Sequence, residues 1–327
     1  MGALVRTTTI ALAAMALILG ISPVALAQEG APAEARPLAQ IDSNVGLPTE
    51  TPEVGATSSV PDVVFHHVTD GREIAFENPI NGATATFHLP TWVVNVGGTA
   101  IDLSPTRHLI FMWLAAAILV LVLSLAARKR SIVPRGFYSV VETLVRFVRE
   151  ELAVKNIGEH HADHYVGYLC TAFFFIFTMN LLGLVPYSAT ATGNLAVTAG
   201  LALLTFAVTL YAGMREQGVA GFWLHIVPSG VPVWLYPIMI PVELLGLLTK
   251  PFALAVRLFA NMAAGHIVLF FLLALIFLLP AVGAFIAPVS VAFAAGIYLL
   301  ELFVALLQAY IFTMLSALFI GMASHPH

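Results

Sequence analysis

The sequence predicts an all-α polytopic membrane protein. About five transmembrane helices are expected, with a cytoplasmic interfacial helix, a long final hairpin and an extracytoplasmic N-terminal extension. Three observations carry this. Of the 327 residues, 59% are hydrophobic and only 10% charged, against about 25% charged in a soluble domain. Mean hydropathy is +0.92, and it is concentrated in runs long enough to cross a bilayer. Half of the 14 Lys and Arg residues fall in one short loop, the distribution that orients membrane proteins. The net charge of −4 carries little information because charge clusters by loop, and no basic patch points to nucleic acid. Cys170 is the single cysteine, so an internal disulfide and a paired-cysteine metal or redox site are both excluded.

Residues 1–27 read as a signal peptide, with an uncleaved first transmembrane helix as the alternative. Arg6 supplies the positive start, Ile10 to Ile21 the apolar stretch, and Ala25-Leu26-Ala27 a small-residue cleavage site. The extension, 28–104, is polar, and its first part, 28–62, has little to bury. Ala83–His88 and Thr91–Val96 flank Pro90 and carry strand-forming residues, so a small β element is expected. His66-His67 has no further ligand at a metal-like spacing and reads as a solvated pair.

His108–Ala127 is the first mature span. Arg128, Lys129, Arg130, Arg135, Arg146, Arg149 and Lys155 follow, which puts that loop in the cytoplasm and the mature N-terminus outside. Within 137–153, Val140, Val141, Leu144, Phe147, Val148 and Leu152 form an apolar stripe opposite charge, expected of a helix on the membrane surface. Glu159-His160-His161-Ala162-Asp163-His164 has metal-like chemistry, but its place at the entry to a span favours a polar interfacial loop. Tyr165–Pro186 crosses outward and Asn194–Met214 returns. The uncharged connection 187–193 and the Arg215-Glu216 step after the return agree with that orientation.

From Val233 to Leu279 the chain is apolar apart from Glu243, the Thr249-Lys250-Pro251 step and the polar side chains that follow. As one helix this run would measure about 70 Å against a hydrocarbon core of roughly 30 Å. It is either two spans broken at Pro251 or one element far from the membrane normal. A second long run, Pro288–Met322, follows a turn at Pro280, Gly283 and Pro288.

Arg257 lies deep in the first of these runs, with six apolar residues before it and three after. A charge at mid-membrane costs roughly 3 kcal/mol or more, and arginine cannot shed its proton. Antiparallel helices turning at Gly283 would put His266 level with Leu300, beside Glu301. Arg257 would stand level with Gln308 to Tyr310, and Glu243 near Ala323. Glu301 and Gln308 share a helix face. The result is a ladder: Glu243 inside, Arg257 with Gln308 in the middle, His266 with Glu301 towards the outside. Ionisable groups so spaced are typical of ion pathways. A buried His266–Glu301 hydrogen-bonded pair could instead simply hold the hairpin closed, but it would not account for Arg257. Glu301 is roughly 12 Å from Arg257 in height, so the balancing carboxylate is expected from another chain.

At these residues the chain resembles subunit a of F-type ATP synthases. The resemblance is carried by Lys250-Pro251, by Arg257 through His266, by Glu301, by Leu307-Gln308-Ala309-Tyr310-Ile311-Phe312 with Met322-Ala323-Ser324, and by Asn180 through Pro186. It extends from about residue 105 to the end of the chain. The resemblance implies a membrane subunit of the proton-transporting ATPase of the bacterial inner membrane, without a catalytic site or cofactor of its own. It implies as partners the ring of subunit c, the subunit b peripheral stalk, the remaining synthase subunits and membrane lipid. It also implies that the last two helices lie steeply tilted along the ring. Arg257 would face the ring carboxylates, with Asn261 and Gln308 as polar neighbours. His266 and Glu301 would line the outer half-channel and Glu243 the inner one. Family members place the acid and the histidine on either of the two helices; here His comes first. The long N-terminal extension departs from the commonest pattern. The separation of Arg257 from Gln308 implies a somewhat long turn. A secondary transporter would show internal repeats, and none is evident. A plain membrane anchor would leave the ladder unexplained.

Overall fold

A computed structural model describes residues 73–77, 84–88, 93–96, 99–102, 105–128, 136–185, 188, 190–224, 232–278 and 283–324. The signal-like start, the polar stretch 28–62 and His66-His67 lie outside the described residues.

The extension contributes two antiparallel hairpins. β1 (Glu73–Glu77) pairs with β2 (Thr84–His88), and β3 (Val93–Val96) pairs with β4 (Thr99–Asp102). The expected strands on either side of Pro90 are present as β2 and β3. They pair with β1 and β4 rather than with each other.

Among the described residues, seven α-helices longer than one turn organise the rest: α1 (Arg107–Arg128), α2 (Phe137–Phe147), α3 (Glu159–Gly183), α4 (Leu195–Gln217), α5 (Val219–Leu224), α6 (Tyr236–Leu278) and α7 (Gly283–Ser324). Five of them, α1, α3, α4, α6 and α7, are long and apolar enough to cross a membrane, as the sequence predicts. Among the spans, α3 is the most enclosed. Leu169, Phe173, Phe175, Ile176 and Met179 are fully buried and form the centre of a core shared with α1, α4, α6 and α7. Asn194 caps α4, its side chain accepting from the Ala196 amide at 2.8 Å. Gly158, with φ of 93°, lets the chain turn sharply into α3.

The amphipathic segment is present with two refinements. α2 runs into a seven-residue π-helix, Val148–Val154, where the apolar spacing alone predicts a plain α-helix. Its stripe is also divided. Val141, Val148 and Leu152 are buried in the protein core and Phe147 stacks near Tyr310 of α7, whereas Val140 is exposed.

The question at Pro251 is answered by one continuous helix. α6 runs through Pro241 and Pro251, and α7 through Pro288. Each proline forfeits an i→i−4 hydrogen bond, yet neighbouring packing holds the helix together: Pro251, Leu254, Ala255, Leu258 and Met262 make a buried stripe. α6 and α7 pack along one another as the expected hairpin.

Candidate functional site

The hairpin register is legible in its cross-contacts. Nearest the connection, the Ser290 hydroxyl reaches the Leu272 carbonyl. Next, Glu301 Oε1 lies 3.4 Å from His266 Nδ1. Asn261 Nδ2 then donates to Gln308 Oε1 at 2.7 Å. Furthest in, Lys250 Nζ sits 5.7 Å from the centre of the Phe319 ring, within cation–π range. The His266–Glu301 level is as the sequence predicts. The middle of the ladder is corrected: Gln308 faces Asn261, and counting on from that pair puts Phe312, not Gln308 to Tyr310, level with Arg257. Gly283 is the first residue of α7 and Pro288 lies inside it, so neither is a turn residue, and the pairing slips progressively along α7 from the Ser290–Leu272 contact to Asn261–Gln308.

The outer end is the more enclosed. Glu301 is buried, as is Gln308 two turns further along the same face. His266 Nε2 lies 2.8 Å from Thr190 Oγ1, in the connection after α3, and 3.2 Å from the carbonyl of Gly183, the last residue of α3. Its Nδ1 lies 3.1 Å from the Met262 carbonyl, one turn back on α6. Glu301 Oε1 is within ion-pair range of that nitrogen but has no hydrogen-bond donor in line with it. Two glycines permit this closeness. A Cβ on Gly265 would meet Glu301 Oε1 at 2.1 Å, and one on Gly183 would meet Thr190 Oγ1 at 2.5 Å. Around the pair, Asn180 accepts from Thr192 at 2.7 Å, and the Tyr298 hydroxyl donates to the Leu184 carbonyl at 2.6 Å.

The middle is open. Arg257 is exposed and makes no ion pair among the described residues. It shares its face of α6 with Ala253, Val256, Ala260, Asn261 and Ala264, all exposed, while Leu254, Ala255, Leu258 and Met262 on the opposite face are buried. Glu243, two helical turns beyond Lys250, is likewise exposed. Its partner level on α7 falls past Ser324, where α7 ends, so it does not stand opposite Ala323.

At the far end of α3 the histidine-rich cluster forms interhelical ties. Arg149 pairs with Asp163 at 2.8 Å, His161 lies 3.2 Å from Glu216, and His164 contacts Arg215. Among the described residues no group of three His, Cys, Asp or Glu side chains could hold a metal ion; the expected interfacial loop is instead the first turns of α3.

Thr190, Thr192 and Tyr298 are the participants that sequence reasoning passes over. For the two threonines the signal in the sequence is the uncharged 187–193 connection, rich in small hydroxyl residues; nothing in the sequence marks Tyr298.

The fold defines a class: a multi-pass helical membrane protein whose last two helices carry ionisable groups at successive levels of their hairpin. Residues 109–321 match the ATP synthase A chain family. An ATP synthase subunit a from Anaeromyxobacter sp. (strain Fw109-5) is 50% identical over 302 residues, covering 84% of this chain and 74% of that protein. One from Myxococcus xanthus (strain DK1622) is 51% identical over 285 residues, covering 79% and 92%. One from Chlorobium phaeobacteroides (strain BS1) is 44% identical over 333 residues, covering 99% and 94%. The chain belongs to the ATP synthase A chain family.

Proposed function

We propose that this chain is the proton-translocating stator subunit of an F-type ATP synthase, with two offset aqueous half-channels separated by Arg257. The observation that carries the reading is the contrast within α6: a permanent cation held out on an apolar helix without a carboxylate, between a His–Glu pair on one side and Glu243 on the other. An unneutralised guanidinium in hydrocarbon is costly, so the partner that neutralises it comes from outside the chain. The alanines beside it let another helix approach closely. A ring of subunit c, each copy bringing one carboxylate, meets both requirements.

In this scheme a proton enters from outside by way of His266 and Glu301 and neutralises a ring carboxylate, which can then face lipid. Rotation brings another carboxylate to the inner half-channel near Glu243, where its proton leaves. Arg257 draws each arriving carboxylate into its ionised form and repels protons that would leak straight across. Asn261 and Gln308 stand beside it as a neutral hydrogen-bonded pair. The coupling ion is set by the ring's own site. The chain itself carries out no covalent chemistry and requires no cofactor.

The same reading places the chain in a bacterial inner membrane. The mature N-terminus and the 28–104 extension lie outside, 105–327 forms the membrane domain, and the C-terminus is cytoplasmic. The subunit b stalk and the remaining synthase subunits complete the assembly. Arg257→Ala in the assembled complex tests the reading. ATP synthesis and ATP-driven proton pumping in membrane vesicles should both vanish while subunit a remains in the membrane. Pumping at the wild-type rate would refute the role.

A further inference from the structure

The Nε2 side of His266 is not explained by a His–Glu pair alone. That nitrogen faces Gly183, at the end of α3, and Thr190, from the connection between α3 and α4. The two partners there differ in kind. The Gly183 carbonyl can only accept, so it suits a protonated Nε2. The Thr190 hydroxyl can do either: it can donate to a bare Nε2 or accept from a protonated one. When it accepts, its own proton has somewhere to go, because Thr190 Oγ1 also lies 3.4 Å from the Gly183 carbonyl. The hydroxyl is buried and carried on a segment fixed by Thr192 to Asn180. The missing Cβ of Gly183 leaves it room.

We propose that Thr190 is a positioning residue for proton transfer, its hydroxyl reversing role so that His266 keeps a hydrogen-bond partner at Nε2 whether or not that nitrogen carries a proton. This rests on the reading of His266 and Glu301 as part of the proton path. In the neutral ring with its proton on Nδ1, the hydroxyl donates to Nε2. When a second proton binds at Nε2, the hydroxyl turns towards Gly183 and accepts from the ring. Nδ1 then faces Glu301 with a proton it can pass to the carboxylate. No ring nitrogen is left buried and unpaired in either state, so neither state carries the penalty of an unsatisfied polar group. Glu301 is the charged group that faces His266. The α3–α4 connection contributes only the Thr190 hydroxyl, α3 only the Gly183 carbonyl, and α6 itself only the Met262 carbonyl.

The test uses the whole synthase in inverted membrane vesicles, with ATP-driven acidification and ATP synthesis followed across pH. Thr190→Val keeps the shape and removes the hydroxyl; Thr190→Ser keeps the hydroxyl. The valine variant should slow coupled transport about fivefold and change the shape of its pH profile, while serine stays close to wild type in both. If the valine protein does not accumulate in the membrane, Thr190→Ala is read in its place with the same expectation. A wild-type rate and profile in the hydroxyl-free variant, a uniform slowing at every pH, or equal damage from serine and valine would each overturn the proposal. His266→Ala is the parallel arm. Full coupling in that variant would overturn the proton-path reading itself, whereas lost coupling there beside an unaffected Thr190→Val would overturn only the role of Thr190.

Discussion

The two halves of the α6–α7 hairpin treat polar groups in opposite ways. At the outer end, His266 and Glu301 are packed between both long helices and the connection after α3, and each nitrogen of the imidazole faces an oxygen of the same chain. In the middle, Arg257 stands on an exposed face with no ion-pair partner among the described residues. The same contrast separates whole helices. In α3, 67% of the most apolar stretch is buried within the protein, against 6% in α6. α3 is what the chain folds around; α6 is what it holds out. A polar group satisfied at home can be tuned by its neighbours, while one left bare must be satisfied by a partner, and so is available to a partner that moves.

Removing the bare cation should have the largest effect, and replacing it with lysine should be almost as damaging. Arg257→Lys keeps a positive charge but replaces a planar fork by a compact ammonium that loses its proton readily when desolvated. ATP synthesis should fall by about two orders of magnitude, since a lysine that can deprotonate no longer bars the direct path. Synthesis assayed in vesicles, with passive proton conductance measured alongside, decides the matter. Near-normal synthesis in the lysine variant would remove the distinction between a fixed and a titratable charge.

The next change attacks the enclosed end. In Gly265→Ala the new Cβ falls on Glu301, 2.1 Å from Oε1 and 3.0 Å from Cδ, so the buried carboxylate must swing away from His266. Coupled transport should drop about tenfold, with the level of subunit a little changed, because the side chain rather than the backbone gives way. The control is Gly246, whose Cβ would meet nothing. Gly246→Ala should be silent. Equal loss at both glycines would show that the helix, not the pair, is being disturbed.

Which parts of this were legible in the sequence follows from the same contrast. The five spans, the orientation-setting loop and the His266–Glu301 level depend on hydropathy and helical rise, which act locally and can be counted. The continuity of α6 through Pro251 could not be read, because a proline's local penalty is outweighed by the packing of the buried stripe it shares with Leu254, Ala255 and Leu258. The π-helix at Val148 and the burial of Val148 and Leu152 likewise follow from contacts with α3 and α7 that no periodicity reports. Thr190 escaped notice because its partner lies 76 residues away. Arg257 was conspicuous because its problem, a charge in hydrocarbon, is local.

Between the two regions stands the Asn261–Gln308 hydrogen bond, and breaking it should sharpen the boundary. Gln308 is buried, with 2% of its surface exposed, while Asn261 faces outward. Gln308→Leu should therefore cost less than Asn261→Leu in stability terms, since it leaves only an exposed amide unpaired. Asn261→Leu strands a buried glutamine, a penalty of about 1–3 kcal/mol. A double-mutant cycle on the thermal unfolding of subunit a in detergent would return a coupling near 1 kcal/mol. Zero coupling would mean that the two amides do not meet.

The smallest expected effect is at the rim of the enclosed end. The Tyr298 hydroxyl donates to the Leu184 carbonyl at 2.6 Å, tying α7 to the last turn of α3 one turn before Glu301. Leu184 ends α3, where the final carbonyls have no partner within the helix, so Tyr298→Phe removes a donor that the helix end uses. The ring remains and its packing is unchanged, which limits the loss to about 1 kcal/mol, or roughly 2–4 °C in the unfolding midpoint of a domain of this size. Transport at low temperature should be nearly normal, and the deficit should appear on warming, as the α3–α7 contact loosens and the carboxylate beside it loses its enclosure. A Tyr298→Phe protein with wild-type thermal behaviour would mean that the outer end is closed by the His266 contacts alone.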